Sequence, residues 1–180
     1  WQLRLPSVFF GTATVLAIFL LAREMFSTPV AWLTAFLAAI WPRLIEYSQE
    51  MRPYALFVLL ASTSGFALLR ALRTNQTRYW SLFAAAATIE LYVHHLALLN
   101  VFSFFLFALV SICFGYVQSR YQRVAVSGFT SSDLSLVTKV TTAFLAIGVG
   151  FLSVLQFYLI PLSQEERRGI LKLNWKTFEV

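Results

Sequence analysis

Three short stretches of the chain carry residue types that do chemistry. The densest reads Arg43-Leu44-Ile45-Glu46-Tyr47-Ser48-Gln49-Glu50-Met51-Arg52-Pro53-Tyr54, set between two apolar runs. A guanidinium binds a phosphate through two parallel hydrogen bonds. A tyrosine offers a flat apolar face to a sugar and a hydroxyl at its tip. The second stretch is Glu90-Leu91-Tyr92-Val93-His94-His95. Glu90 and His94 are four residues apart, so a helix running through both would put them on one face. An ionisable group within an apolar run is costly and generally functional. Here the carboxyl could orient His94, position a proton or help hold a cation. The third stretch, Arg4-Leu5-Pro6-Ser7, opens an apolar run.

Each stretch also has a blander account. The first is equally an interfacial anchor loop whose Glu and Arg pair with each other. The second is equally a satisfied interfacial histidine plus a glutamate facing a water-filled gap. Arg4 is an ordinary snorkelling arginine beside a helix-start proline. Two adjacent histidines on a helix diverge and a metal site needs about four ligands, so His94-His95 is a weak metal signal and no metal ligands are assigned.

The elements that must position these residues are membrane helices. Of 180 residues, 59% are hydrophobic and only 12% charged, against about 25% charged in a soluble domain. Mean hydropathy is +0.72. This excludes a disordered tail, a coiled coil and a disulfide scaffold. The single Cys113 cannot form an intrachain disulfide. The net charge of +6 is spread thinly between apolar runs, which fits membrane topology and not nucleic acid. Six candidate spans run over about Leu5–Ala22, Pro29–Ile45, Pro53–Leu69, Tyr79–Val93, Leu96–Val117 and Val140–Ile160. The expected fold is therefore an all-α polytopic transmembrane bundle over 1–160, with 161–180 as a tail or the start of a further segment. Pro42 should bend or end the second span, and Pro161 should stop the sixth. Pro29 and Pro53 suit first turns, with Ser27 and Thr28 as N-caps. Trp1, Trp32, Trp41 and Trp80 suit an aromatic belt. Gly148 and Gly150 suit close helix packing.

Orientation follows from the basic residues of alternate loops. Arg23, Arg70, Arg73, Arg78, Arg120, Arg123 and Lys139 fall on one side, and Arg4, Arg43 and Arg52 on the other. The richer side should be cytoplasmic, although the tail basics Arg167, Arg168, Lys172 and Lys176 then lie outside. The sequon Asn75-Gln76-Thr77 is placed inside and discounted. Arg4, Arg52 and His94 share the outer side, where a common cavity would be cationic and rich in hydroxyls.

No Gly-rich phosphate loop, GxSxG elbow, HExxH or CxxC pair is present. Three segments in order do resemble one family. Leu3-Arg4-Leu5-Pro6-Ser7 with Gly11, then Ser48-Gln49-Glu50-Met51-Arg52-Pro53-Tyr54-Ala55-Leu56, then Leu91-Tyr92-Val93-His94-His95 resemble C-type integral-membrane glycosyltransferases. The nearest kin are the dolichyl-phosphate-mannose protein mannosyltransferase-like family and bacterial lipid-modifying relatives such as the aminoarabinose transferases. The similarity covers about Leu3 to Val117.

The resemblance implies transfer of a sugar from a polyprenyl-phosphate donor to a lipid, glycan or protein acceptor at the outer face of a bacterial inner membrane. It implies donor phosphate and sugar binding by Arg4, Glu50, Arg52, Tyr54 and His94, supported by Ser48, Gln49, Glu90 and His95. The family's acidic residue lies in a loop ahead of the Arg-x-Pro-Ser stretch, so it is expected upstream of Trp1 and no catalytic residue is assigned here. The chain accordingly reads as an internal piece of a longer protein, inactive alone. No cofactor follows from these residues, and a divalent metal stays open. The rival class is a transporter or flippase-like carrier of lipid-linked sugars, which Glu90 and the short spans also fit.

Overall fold

The computed structural model describes residues 5–50, 53–122 and 135–152, with residues 115–122 as backbone only. All regular structure among them is helical. The helices are α1 (Leu5–Met25), α2 (Thr28–Ile40), α3 (Pro42–Gln49), α4 (Tyr54–Thr74), α5 (Thr77–Val93) and α6 (Ala97–Gln122), followed by α7 (Ser135–Leu152). The expected all-α membrane bundle is what is observed. Among the described residues four helices, α1, α4, α6 and α7, are long and apolar enough to cross a bilayer, and α2 with α3 passes the same test only as a bent pair, a broken span or a re-entrant loop. α5 has 17 residues, or about 26 Å at 1.5 Å per residue, slightly under the thickness of a hydrocarbon core.

The packing is that of a membrane bundle. Large apolar side chains point outward: Trp32 is 65% exposed, and Phe9, Phe36, Phe114 and Leu145 are exposed with it. Small residues line the interior, including Ala31, Ala35, Ala55, Ala67, Ala71, Ala87, Ala97 and Ala108. Lipid tails are as apolar as leucine, so little is gained by burying large side chains, and small ones let backbones approach. Gly65 is buried in α4 between Leu21 of α1 and Phe104 of α6. One aromatic knot joins α5, α6 and α7, with Phe83 at 6.0 Å from Phe104 and 5.3 Å from Phe144.

Local chemistry explains the breaks. Pro42 lacks an N–H and pushes the residue before it out of the helical region. Trp41 is accordingly extended (φ −68°, ψ 119°), and α3 leaves α2 at 55°. The segment that reads as a loop from sequence is thus mostly the helix α3. α4 ends at Asn75 in the left-handed region (φ 50°), which asparagine tolerates better than most residues. Its N–H donates to Ala71 O at 2.8 Å. Lys139 Nζ donates to Asn75 O at 2.7 Å and Asn75 Nδ2 to Ser135 Oγ at 3.3 Å, which pins α7 to this turn.

Several sequence expectations are corrected. Trp80 is only 3% exposed, so it is a core residue and not part of an aromatic belt. Ser27 is the N-cap of α2 but makes no side-chain cap bond, and Thr28 is already helical. Pro53 caps α4 from outside (ψ 8°) and does not sit in its first turn. Gly148 faces open space, whereas Gly150 does lie against Thr88 of α5. The sixth span is described only to residue 152, and the tail from 153 lies outside the described residues.

Candidate functional site

One end of the bundle, hereafter the histidine end, gathers the chemistry-bearing segments. α5 stops at Val93, and His94 is extended (φ −152°, ψ 136°) with its N–H donating to Glu90 O at 3.1 Å. The helix therefore does not run through His94, and Glu90 and His94 do not share a face as a continuous helix would require. Leaving the helix lets the two histidine rings stack, with centroids 4.4 Å apart at 25°. His94 Nδ1 accepts from Leu96 N–H at 3.1 Å, so the proton of the neutral ring sits on Nε2. Partial burial, and then the neighbouring charge of His95, hold His94 below the ordinary histidine pKa.

The ring of His94 joins three elements. Tyr54 at the start of α4 lies 5.6 Å from it and Phe57, one turn on, 5.2 Å. Tyr47 of α3 lies 5.2 Å from Tyr54. Tyr47 also walls a groove of about 450 Å³ between α1, α2 and α3, lined by Ile18, Leu37, Ala38, Trp41, Arg43 and Leu44 among others. α3 can lie this close to α1 because residue 11 is glycine. A Cβ placed there would stand 2.6 Å from Ser48 Cβ.

The remaining candidates distribute as follows. Ser48 donates to Ile45 O at 2.7 Å, within its own helix. Glu50 is the half-buried C-cap of α3, and Gln49 is exposed beside it. His95 is exposed. Arg43 and Glu46 pair with each other at 2.9 Å on the exposed side of α3, so the self-paired account holds for that pair. Glu90 is fully buried below the histidine turn, where it is hydrogen-bonded to Asn100 and Ser64 and not to His94. Arg4 and Arg52 lie outside the described residues. Among the described residues no three His, Cys, Asp or Glu side chains gather as a metal site would need.

The opposite end holds a feature that sequence inspection missed. Glu24, nearly buried at the end of α1, pairs with Arg70 and, at 3.4 Å, with Arg73 of α4. Arg70 and Arg73 are three apart on one helix face, which was the available signal. In sequence alone their guanidiniums mark only topology.

The family model for dolichyl-phosphate-mannose-protein mannosyltransferases matches residues 1–127. The chain belongs to that family. The match takes in α1 to α6 and with them the whole histidine end. No curated protein and no solved structure matches the chain. Membership assigns this mannosyltransferase-family chain to the membrane glycosyltransferases, and its apolar helices make it an integral, multi-pass membrane protein. In the mannosyltransferase-family framework, α3 and the start of α4, neighbours in sequence, form one surface with the distant α5–α6 turn. That surface has aromatic faces, hydroxyls, an imidazole with a ring N–H and an adjoining apolar groove. It is equipped to stack on a ring, to hydrogen-bond polar groups and to seat a hydrocarbon chain.

Proposed function

We propose that the histidine end faces the extracytoplasmic side and binds the headgroup of a polyprenyl-phosphate sugar, whose sugar is passed to a lipid, glycan or protein acceptor. The convergence of Tyr47, Tyr54, Phe57 and His94 from three elements carries this reading. Arg52 immediately precedes Pro53, the cap of α4, and Arg4 immediately precedes Leu5, the first residue of α1.

The reaction is a displacement at the sugar's anomeric carbon. An acceptor oxygen forms the new bond, the bond to the phosphate oxygen breaks, and the electron pair leaves on the phosphate. Negative charge therefore builds on that group in the transition state. Arg4 and Arg52 are assigned to neutralise it, a preorganised stabilisation that costs no reorganisation during the reaction. Tyr54 offers its face to the sugar, His94 offers Nε2–H to a phosphate or hydroxyl oxygen, and Glu50 lines the pocket. The groove beside Tyr47 suits the isoprenoid chain. The acceptor's proton goes to a base outside this set.

The test is donor consumption by the full-length protein in proteoliposomes, with labelled polyprenyl-phosphate sugars. Arg52→Ala should lower transfer by roughly a hundredfold or more, the usual loss when one transition-state donor is removed, while membrane insertion is unchanged. Near-normal transfer by that variant rejects the phosphate role.

A further inference from the structure

We propose that Glu90 is a positioning residue for the His94–His95 turn and that it works as a neutral carboxylic acid. The proposal rests on the reading that this turn belongs to the transfer site. It begins with hydrogen-bond accounting. Asn100 Nδ2 donates to Glu90 Oε1 at 2.6 Å. Ser64 Oγ lies 3.0 Å from Ala61 O and 3.3 Å from Glu90 Oε2. A hydroxyl has one proton, and the shorter contact to the carbonyl takes it. Ser64 Oγ and Glu90 Oε2 would then face each other with lone pairs alone, unless the carboxyl supplies the proton between them. With that proton every group is satisfied: the acid donates to Ser64, Ser64 to Ala61 O, and Asn100 to the acid.

The surroundings agree. Glu90 and Ser64 are both 0% exposed. Among the described residues no Lys, Arg or His side chain pairs with this carboxyl, and an isolated buried carboxylate is far costlier than a hydrogen-bonded neutral acid. Glu24, by contrast, sits between two arginines. The two buried glutamates are thus built for opposite charge states.

The placement shows what the acid does. Glu90 lies in the last turn of α5 and Asn100 in the first turn of α6, so their bond ties together the two arms of the turn that carries His94 and His95. Backbone bonds there close only local turns, among them His94 N–H to Glu90 O at 3.1 Å, Ala97 N–H to His94 O at 3.0 Å and Leu98 N–H to His95 O at 3.2 Å. Ser64 extends the tie to α4, the helix whose Tyr54 and Phe57 flank the His94 ring.

Glu90→Gln tests this because an amide reproduces both contacts, donating to Ser64 and accepting from Asn100, without a proton to lose. Infrared spectra of the full-length protein in lipid nanodiscs should show a protonated-carboxyl band that Glu90→Gln removes. Donor consumption by the full-length Glu90→Gln protein should stay within about threefold of wild type. Glu90→Ala leaves Asn100 and Ser64 unpaired and should lose about tenfold or more. The His94 ring titration, followed by histidine-selective NMR, should move in Glu90→Ala and not in Glu90→Gln. A missing acid band, a Glu90→Gln as impaired as Glu90→Ala, or a harmless Glu90→Ala each overturns the proposal. If the transfer reading itself fails, no donor is consumed by any form, while the band and the His94 titration still decide the state and role of Glu90.

Discussion

Gly11→Ala asks how tightly α3 is held against α1. The new Cβ would stand 2.6 Å from Ser48 Cβ, and ordinary contact begins at 3.4 Å, so the helices must part by about 0.8 Å. Overpacking of this kind costs about 1–3 kcal/mol. Alanine in the middle of a helix returns up to about 1 kcal/mol over glycine. The net loss is therefore about 0–2 kcal/mol, too small to read alone. The decisive comparison is with Ser48→Gly, which deletes the opposing Cβ and leaves Ser48 Cα at 3.5 Å. In that background Gly11→Ala should turn stabilising, giving a coupling energy of about 1–3 kcal/mol in a double-mutant cycle. Reversible unfolding of the four proteins in mixed micelles measures it. The reasoning is refuted by a coupling under about 0.5 kcal/mol, the additivity expected of independent sites. Because α3 carries Tyr47, Gly11→Ala should also weaken donor consumption more than it lowers stability.

Gly150→Ala and Gly148→Ala form a matched pair. The first meets Thr88 Cγ2 at 2.5 Å, whereas the second meets nothing within 4 Å, so only the first should lower the unfolding midpoint. His95→Asn removes a charge that depresses His94, so the His94 titration seen by NMR should move up toward the ordinary value. A depressed folded-state value means that stability is lost as pH falls through the window below the ordinary histidine pKa of about 6.5. That acid loss should shrink in His95→Asn. Glu24→Ala strands Arg70 and Arg73, and should lower the midpoint modestly at low salt and less at high salt, since both guanidiniums reach water.

The helical runs and the break at Pro42 were legible because apolar runs and proline act locally. The contact of Tyr54 with His94 was legible only as shared sidedness. Tyr47 joins them because α3 folds back against α1, which Gly11 permits from more than thirty residues away. The Glu90–His94 relation was misjudged because the four-residue spacing has meaning only while the helix lasts, and α5 ends one residue too soon. Trp80 was misplaced because a tryptophan near a span end has the same sequence signature whether it faces lipid or core. The Glu24 cluster went unseen because basic residues near a span end already had an explanation as orientation signals.

The bend after α2 has a consequence for the surrounding lipid. α2 has 13 residues and so covers about 20 Å of a hydrocarbon layer about 30 Å thick. α3 leaves α2 at 55°, so its eight residues add only about 7 Å along the same axis and the pair stays short of that layer. A leaflet lying against this side must dimple to meet the short helix, because bilayers accommodate such mismatch by thinning. The dimple carries polar headgroups down toward Trp41 and Tyr47. An amphiphile diffusing in that leaflet thus has less depth to climb before its head leaves the hydrocarbon, and membrane thickness itself becomes a control on access to the groove.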